Sequence, residues 1–155
     1  SKEIFELFLA GYREHLNKLG SQGGLSEAFL CLLRDQCSCQ DKLHVWLGKI
    51  NNKVVGGVLV AKYGQIGEYL AGYNDLVGRN YNLGHLLLWQ VIRGLKKENF
   101  KSFDLGGADK QRTPQGIFLF KTRMGGINYR LTNELDCRGP GMLNMLVRWR
   151  SGKKR

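Results

Sequence analysis

Residues 82–126 read NLGHLLLWQVIRGLKKENFKSFDLGGADKQRTPQGIFLFKTRMGG and decide how the chain folds. Asn82-Leu83-Gly84-His85 opens a helix over 83–98, whose apolar body is Leu86, Leu87, Trp89, Val91, Ile92 and Leu95. Asn99 ends it. Residues 101–105 (KSFDL) form a short buried strand closed by Gly106-Gly107. A loop rich in Lys and Arg then runs to Pro114, a short helix covers about 114–123, and Gly125-Gly126 turns the chain. If a strand precedes residue 82, this is a β-α-β crossover, which joins parallel neighbours.

Such a strand is at hand. Residues 65–73 (QIGEYLAGY) alternate and are the third member of a meander with 43–50 (LHVWLGKI) and 54–62 (VVGGVLVAK). Asn51-Asn52-Lys53 and Tyr63-Gly64 supply the tight turns, and 74–82 is a polar loop. Upstream, Ile4, Phe5, Phe8, Leu9, Tyr12, Leu16 and Leu19 recur at helical spacing over 3–19. Ser21 to Gly24 breaks that helix, and Ser26 caps a second over 26–37 with Phe29, Leu30 and Leu33 as its stripe. Downstream, 127–135 (INYRLTNEL) reads as a strand and 141–150 as a last helix. Trp46, Trp89, Phe100 and Phe103 belong to the core. The expected class is α/β: a mixed sheet, antiparallel meander plus β-α-β crossover, flanked by helices.

Length and composition bound the rest. The 155 residues suit one domain over 1–155, with the last ~10 residues a basic tail. Hydrophobic residues at 43% and charged residues at 24% exclude disorder. The net charge of +11 suits a polyanionic partner, either RNA, DNA, a phosphorylated ligand or an anionic membrane face. Part of it sits in Arg148, Arg150, Lys153, Lys154 and Arg155, which serve equally as solvated charge. Cys31, Cys37, Cys39 and Cys137 contain no C-x-x-C pair, so they read as reduced thiols of a cytoplasmic protein, and no metal site is expected. No run of about 18 apolar residues is present to span a membrane. The chain starts directly on an amphipathic segment without a signal-peptide pattern, as a domain of something longer or a short stand-alone form would.

Three features of 82–126 carry chemistry. The free N–H groups and dipole of a helix opening at Asn82 and Gly84 favour a phosphate or carboxylate, unless Asn82 is a plain N-cap. Asp104 and Gly106-Gly107 end a buried strand, where α/β sheets bind ligands; equally, Asp104 holds loop N–H groups. Lys121 and Arg123 set positive charge beside a glycine turn, the place for a developing oxyanion or a phosphate, or are surface residues. Tyr81 and Tyr129 are further residues able to face a ligand. No Ser-His-Asp or Cys-His arrangement is visible.

The motifs Leu87-Leu88-Trp89-Gln90-Val91-Ile92, Asp104-Leu105-Gly106-Gly107, Gly116-Ile117 and Phe120-Lys121-Thr122-Arg123-Met124-Gly125-Gly126 follow in order. Together they resemble the FemABX peptidyltransferases and the related BioF2-like GNAT acyltransferase domains, over about residues 4–136. The resemblance implies a GNAT-like fold and transfer of an amino acid from aminoacyl-tRNA to an amine on a cell-wall (peptidoglycan) precursor. It implies that Lys121 contacts the donor or offsets charge at the reacting carbonyl. FemABX proteins carry two GNAT-like halves and, in some, a helical arm for tRNA; this chain has room for one half. The GNAT pyrophosphate loop (R/Q-x-x-G-x-G/A) reads as broken. Arg79-Asn80-Tyr81-Asn82-Leu83-Gly84 keeps an arginine and a glycine but reads as out of spacing, which counts against coenzyme A.

The expected function is acyl or aminoacyl transfer to an amine acceptor. The amine attacks an ester or thioester, and its proton passes to substrate, water, His85 or a tyrosine. The donor is aminoacyl-tRNA first, then an acidic acyl carrier protein or acyl-CoA. A silent RNA- or phospholigand-binding module and an acetyl-CoA N-acetyltransferase are the alternatives. Lys121 and His85 are the catalytic candidates. Asn82, Gly84, Asp104, Gly106, Gly107, Arg112, Phe120 and Arg123 are the substrate-binding candidates.

Overall fold

The computed structural model describes residues 2–20, 24–36, 42–111 and 113–130. Helix α1 (Lys2–Leu19) turns Phe5, Phe8, Leu9 and Tyr12 inward at the spacing of one helical stripe. Helix α2 (Glu27–Gln36) starts where the Ser26 Oγ accepts the Phe29 N–H at 3.2 Å. Its stripe is narrower than the sequence implies: Leu30 is buried, but Phe29 is 43% exposed. Arg13 Nε donates to Glu27 at 2.8 Å and Arg34 to Glu6 at 2.7 Å, tying the two helices along their solvent side.

Strands β1 (Leu43–Ile50), β2 (Lys53–Tyr63) and β3 (Ile66–Asn74) form the expected meander. Asn51 and Asn52 both take positive φ (49° and 63°), the geometry of a two-residue hairpin turn; Lys53 already pairs with Ile50. The 74–82 loop contains an unforeseen helix, α3 (Leu76–Asn80). Asp75 nucleates it, its Oδ1 accepting the Gly78 N–H at 2.7 Å. The segment has no apolar period to betray it, since Leu76 and Val77 are exposed.

Helix α4 (Leu83–Lys97) returns the chain to β4 (Ser102–Asp104), and α5 (Gln115–Thr122) follows. The sheet order is β1-β2-β3-β4, with β4 parallel to β3, as the crossover requires. Two cores result, one on each face of the sheet. Phe8, Leu30, Leu59, Ala71 and Tyr73 meet on the α1/α2 face, and Val58, Val60, Leu87, Leu88 and Val91 on the α4 face. Beside the second core, the buried Lys62 ammonium reaches Glu98 and lies 5.5 Å from the Phe100 ring centre, so its charge is compensated.

Three expectations need correction. Trp89 (55% exposed) and Leu86 (54%) are not core residues. Helix α4 is apolar around much of its girth, but only the face with Leu83, Leu87, Leu88, Val91 and Leu95 is buried. Residues 127–130 form no strand: Ile127 is 92% exposed, and the tie there is a side-chain one, the Tyr129 hydroxyl donating to Asp104. Residues 131–135 and the 141–150 helix lie outside the described residues. Cys31 is a half-buried free thiol, whereas Cys37, Cys39 and Cys137 also lie outside the described residues. Among the described residues, no helix is long and apolar enough to cross a membrane.

Leu59 and Trp89 test this layout as a pair. Leu59 is fully buried on the central strand, so Leu59→Ala costs about 2–5 kcal/mol of unfolding free energy, by urea titration. Trp89→Ala, from an exposed face, stays within about 0.5 kcal/mol of the parent.

Candidate active site

The parallel pair comes apart early. Ile66, Gly67 and Glu68 of β3 pair with Ser102, Phe103 and Asp104 of β4, and there the pairing stops. At the next step β3 carries a bulge. Leu59 pairs with Ala71 and Val60 with Tyr69, leaving Leu70 unopposed. A bulge bends and twists its strand. Beyond it, the Tyr69–Asn74 edge has no partner strand among the described residues. A cleft of ≈ 990 Å³ fills the opening. It runs past the β3 edge from one sheet face to the other, with Tyr12 and His15 of α1 at one end and Gly84, Leu88, Phe120 and Lys121 at the other.

The α4 end is built from the opening of a helix. The first turn bond there is His85 N–H to Asn82 O, at 3.1 Å, so the amides of Leu83 and Gly84 precede it without a helical acceptor. Asn82 is not a side-chain cap: it makes no capping bond and sits left-handed at φ 53°, ψ 32°. Counted from Arg79, the segment does hold the R-x-x-G-x-G spacing. Asn82 replaces the first glycine and supplies the left-handed turn that glycine gives; asparagine is the side chain that most readily does so. The expectation of lost spacing is overturned. At Gly84, a β-carbon would stand 2.9 Å from Asn74 Nδ2, so a side chain here would displace the Asn74 amide. Asn74 Oδ1 is buried with no hydrogen-bond partner among the described residues.

Lys121 reaches in from α5. Its Nζ donates to Gly107 O at 2.9 Å and lies 5.9 Å from the Tyr69 ring centre. Burial pushes the ammonium below the ordinary lysine range, against the opposing pull of Asp104. Gly106, at φ +73°, makes the turn under it. Asp104 does the structural job foreseen for it, its Oδ1 accepting the Gly106 N–H at 2.7 Å.

Of the residues expected from sequence, Gly84, Gly106, Gly107, Phe120 and Lys121 share the cleft wall. Asn82, Asp104, His85 and Arg123 stand outside it, and Arg112 lies outside the described residues. His85 is exposed and packs edge-on against Phe120, with ring centres 4.8 Å apart.

The α1 end escaped the sequence reading altogether. Tyr12 donates to Leu25 O at 3.0 Å, and its ring lies 6.5 Å from that of His15. Burial holds the His15 imidazole below its usual value, and Arg79 and Lys18 push the same way. Burial also raises the Tyr69 and Tyr73 phenols to about 12. In sequence, Tyr12 reads as core and His15 as one polar residue among several on an amphipathic helix. Only its position three residues after Tyr12 hints that it shares the sheet-facing side.

Comparison with known proteins agrees with this architecture. The acetyltransferase (GNAT) domain family matches residues 2–112. No curated protein matches by sequence. Among solved structures, a predicted acetyltransferase with acetyl-CoA from Clostridium acetobutylicum superposes with a TM-score of 0.61 at 15% identity, covering 87% of this chain and 90% of that one. An aminoglycoside 6'-N-acetyltransferase from Acinetobacter haemolyticus gives 0.59 at 16%, over 91% and 96% of the two chains. An aminoglycoside acetyltransferase from an uncultured soil metagenomic sample, in complex with sisomicin, gives 0.57 at 15%, over 86% and 88%. At these identities the structural likeness speaks for the fold alone. The family match covers well over half of the chain, and with the α/β sheet split at its parallel pair it leads to one statement: the chain belongs to the GNAT acetyltransferase family.

Proposed function

We propose that the chain is an acetyl-CoA-dependent N-acetyltransferase, moving an acetyl group from the coenzyme A thioester to an amine. The observation that carries this reading is the split of β3 from β4 directly beside the opening of α4. An unpaired strand edge offers backbone donors and acceptors to an extended amide chain such as pantetheine. The free amides of Leu83 and Gly84 suit a diphosphate, with the helix dipole adding to the attraction. The order of donor preference set out from sequence is thereby reversed. The R-x-x-N-x-G loop removes the objection to coenzyme A, and nothing in the cleft speaks specifically for aminoacyl-tRNA, an acyl carrier protein or a peptidoglycan acceptor.

The chemistry needs little from the protein. The amine nitrogen attacks the thioester carbonyl and forms a tetrahedral oxyanion. The C–S bond then breaks, the thiolate takes a proton, and the nitrogen loses one. Lys121 serves as the positive charge facing the oxyanion, releasing its bond to Gly107 O as the donor enters. His85, exposed and outside the cleft wall, has a weaker claim to the proton than water or His15.

Calorimetric titration tests the donor. Saturable acetyl-CoA binding is expected, weakened at least about tenfold by Gly84→Val, whose side chain occupies the space against Asn74. Salt-steep binding of charged tRNA with no response to acetyl-CoA restores the aminoacyl reading.

Lys121 is tested by rate and by pH. Lys121→Ala lowers kcat by about 10²–10³, the scale of one lost oxyanion contact. With an arylamine acceptor, whose nitrogen is uncharged throughout, kcat falls as pH rises through the lowered lysine pKa. Lys121→Arg, permanently charged, moves that falling limb to higher pH. A limb that stays in place assigns it to another group.

A further inference from the structure

We propose that Tyr129 is a positioning residue for Lys121, acting through Asp104. The proposal rests on the reading of Lys121 as the charge that faces the oxyanion; the tie itself rests on contacts in the structure. The two oxygens of Asp104 are divided. Oδ1 accepts the Gly106 N–H at 2.7 Å, and Oδ2 accepts the Tyr129 hydroxyl. Gly107, the next residue in the turn, lends its carbonyl to Lys121 Nζ at 2.9 Å. Asp104 therefore holds the turn on which Lys121 rests. It also holds, 25 positions along the chain, the segment that leaves the helix carrying Lys121. The contacts close a ring through β4, the Gly106 turn, Lys121, α5, the Gly125 turn at φ +77° and Tyr129.

Helix α5 needs such a tie. It is eight residues long and has no buried residue. Phe120 and, just past the helix, Met124 pack against the α4 core while only partly buried. A helix this short takes its stability from its surroundings. One of its anchors, Lys121 to Gly107 O, is given up when the ammonium turns to the oxyanion. Lys121 is then kept in register by the packing of Phe120 and Met124 and by the Tyr129–Asp104 bond. A misplacement of about 1 Å at a reacting centre costs on the order of 10² in rate.

The bond suits the task. Its acceptor is a carboxylate, which makes it stronger than a bond between neutral groups. It holds the Tyr129 phenol above the usual tyrosine range, so the hydroxyl remains a donor near neutral pH. Packing contributes little to the return of this segment, since Ile127 is 92% exposed and Tyr129 66%.

Tyr129→Phe removes the hydroxyl and keeps the ring; acetyl transfer from acetyl-CoA to an arylamine reads the effect. kcat is expected to fall about three- to tenfold with KM for acetyl-CoA unchanged, the scale of one hydrogen bond to a charged group at an exposed site. In a Lys121→Ala background the same change is expected to alter kcat less than about twofold, because no ammonium is left to place. Amide exchange is expected to quicken at Phe118, Arg123 and Met124, whose N–H groups close turns of the α5 segment, and to stay the same at Leu87 and Val91 of α4. Parental kcat in Tyr129→Phe, an equal loss in the Lys121→Ala background, or unchanged exchange in α5 overturns the proposal. Parental kcat in Lys121→Ala removes the oxyanion reading and this proposal together; a loss there beside parental kcat in Tyr129→Phe removes this proposal alone.

Discussion

Strand β3 pairs with β2 along its length but with β4 only through Ile66, Gly67 and Glu68. The functional architecture follows from that inequality. A strand edge whose backbone groups lack partners is costly to bury and tempting to pair. Here the bulge at Leu70 bends the strand where β4 leaves it, so the edge opens into a cleft instead of a continued sheet. The same bulge places Leu70 and Ala71 together against the α1 core, while Tyr69 packs with the α4 core. A single irregularity thus lies between the two cores that flank the sheet.

Helices on both faces hold the split open. Leu88 and Val91 of α4 are fully buried against β2 and β3, and Phe8 of α1 is fully buried on the other side. Closing the gap would require one of these helices to shift, and close-packed cores resist displacement. The cost of leaving polar groups unpaired is thus set against packing elsewhere. Among the described residues, the polar groups of the cleft wall include the Asn74 oxygen without a partner, the Gly84 amide at the start of α4, the Lys121 ammonium, His15 and Arg79.

Much of this frame was legible in the sequence because local rules dominated. The amphipathic period of α1, the Asn51-Asn52 turn, the Ser26 cap and the α4 crossover each follow from neighbours in the chain. Asp104-Leu105-Gly106-Gly107 was legible as the end of a strand, and of the two roles that the sequence left open for Asp104 the structure displays the one that holds a loop amide. Failures came where two readings competed or where distance in sequence hid proximity in space. Trp89 looks like core by hydrophobicity, but the helix has only one face to bury. Residues 127–130 alternate like a strand, yet Tyr129 is tied to Asp104 by a side chain. Asn82 disguised a loop by replacing glycine with the side chain best able to imitate it. His15 gave only the hint of its spacing from Tyr12, because the β3 and α5 residues that line the rest of the cleft are distant from it in the chain.

Amide hydrogen exchange across β3 tests the central claim most directly, since it reports the unpaired edge itself. Adding acetyl-CoA is predicted to slow exchange within residues 69–74 and at Leu83 and Gly84, leaving Ile66 to Glu68, already paired, unchanged. Exchange at 69–74 that ignores saturating acetyl-CoA, or protection confined to other segments, would contradict the account of the split strand as the donor site.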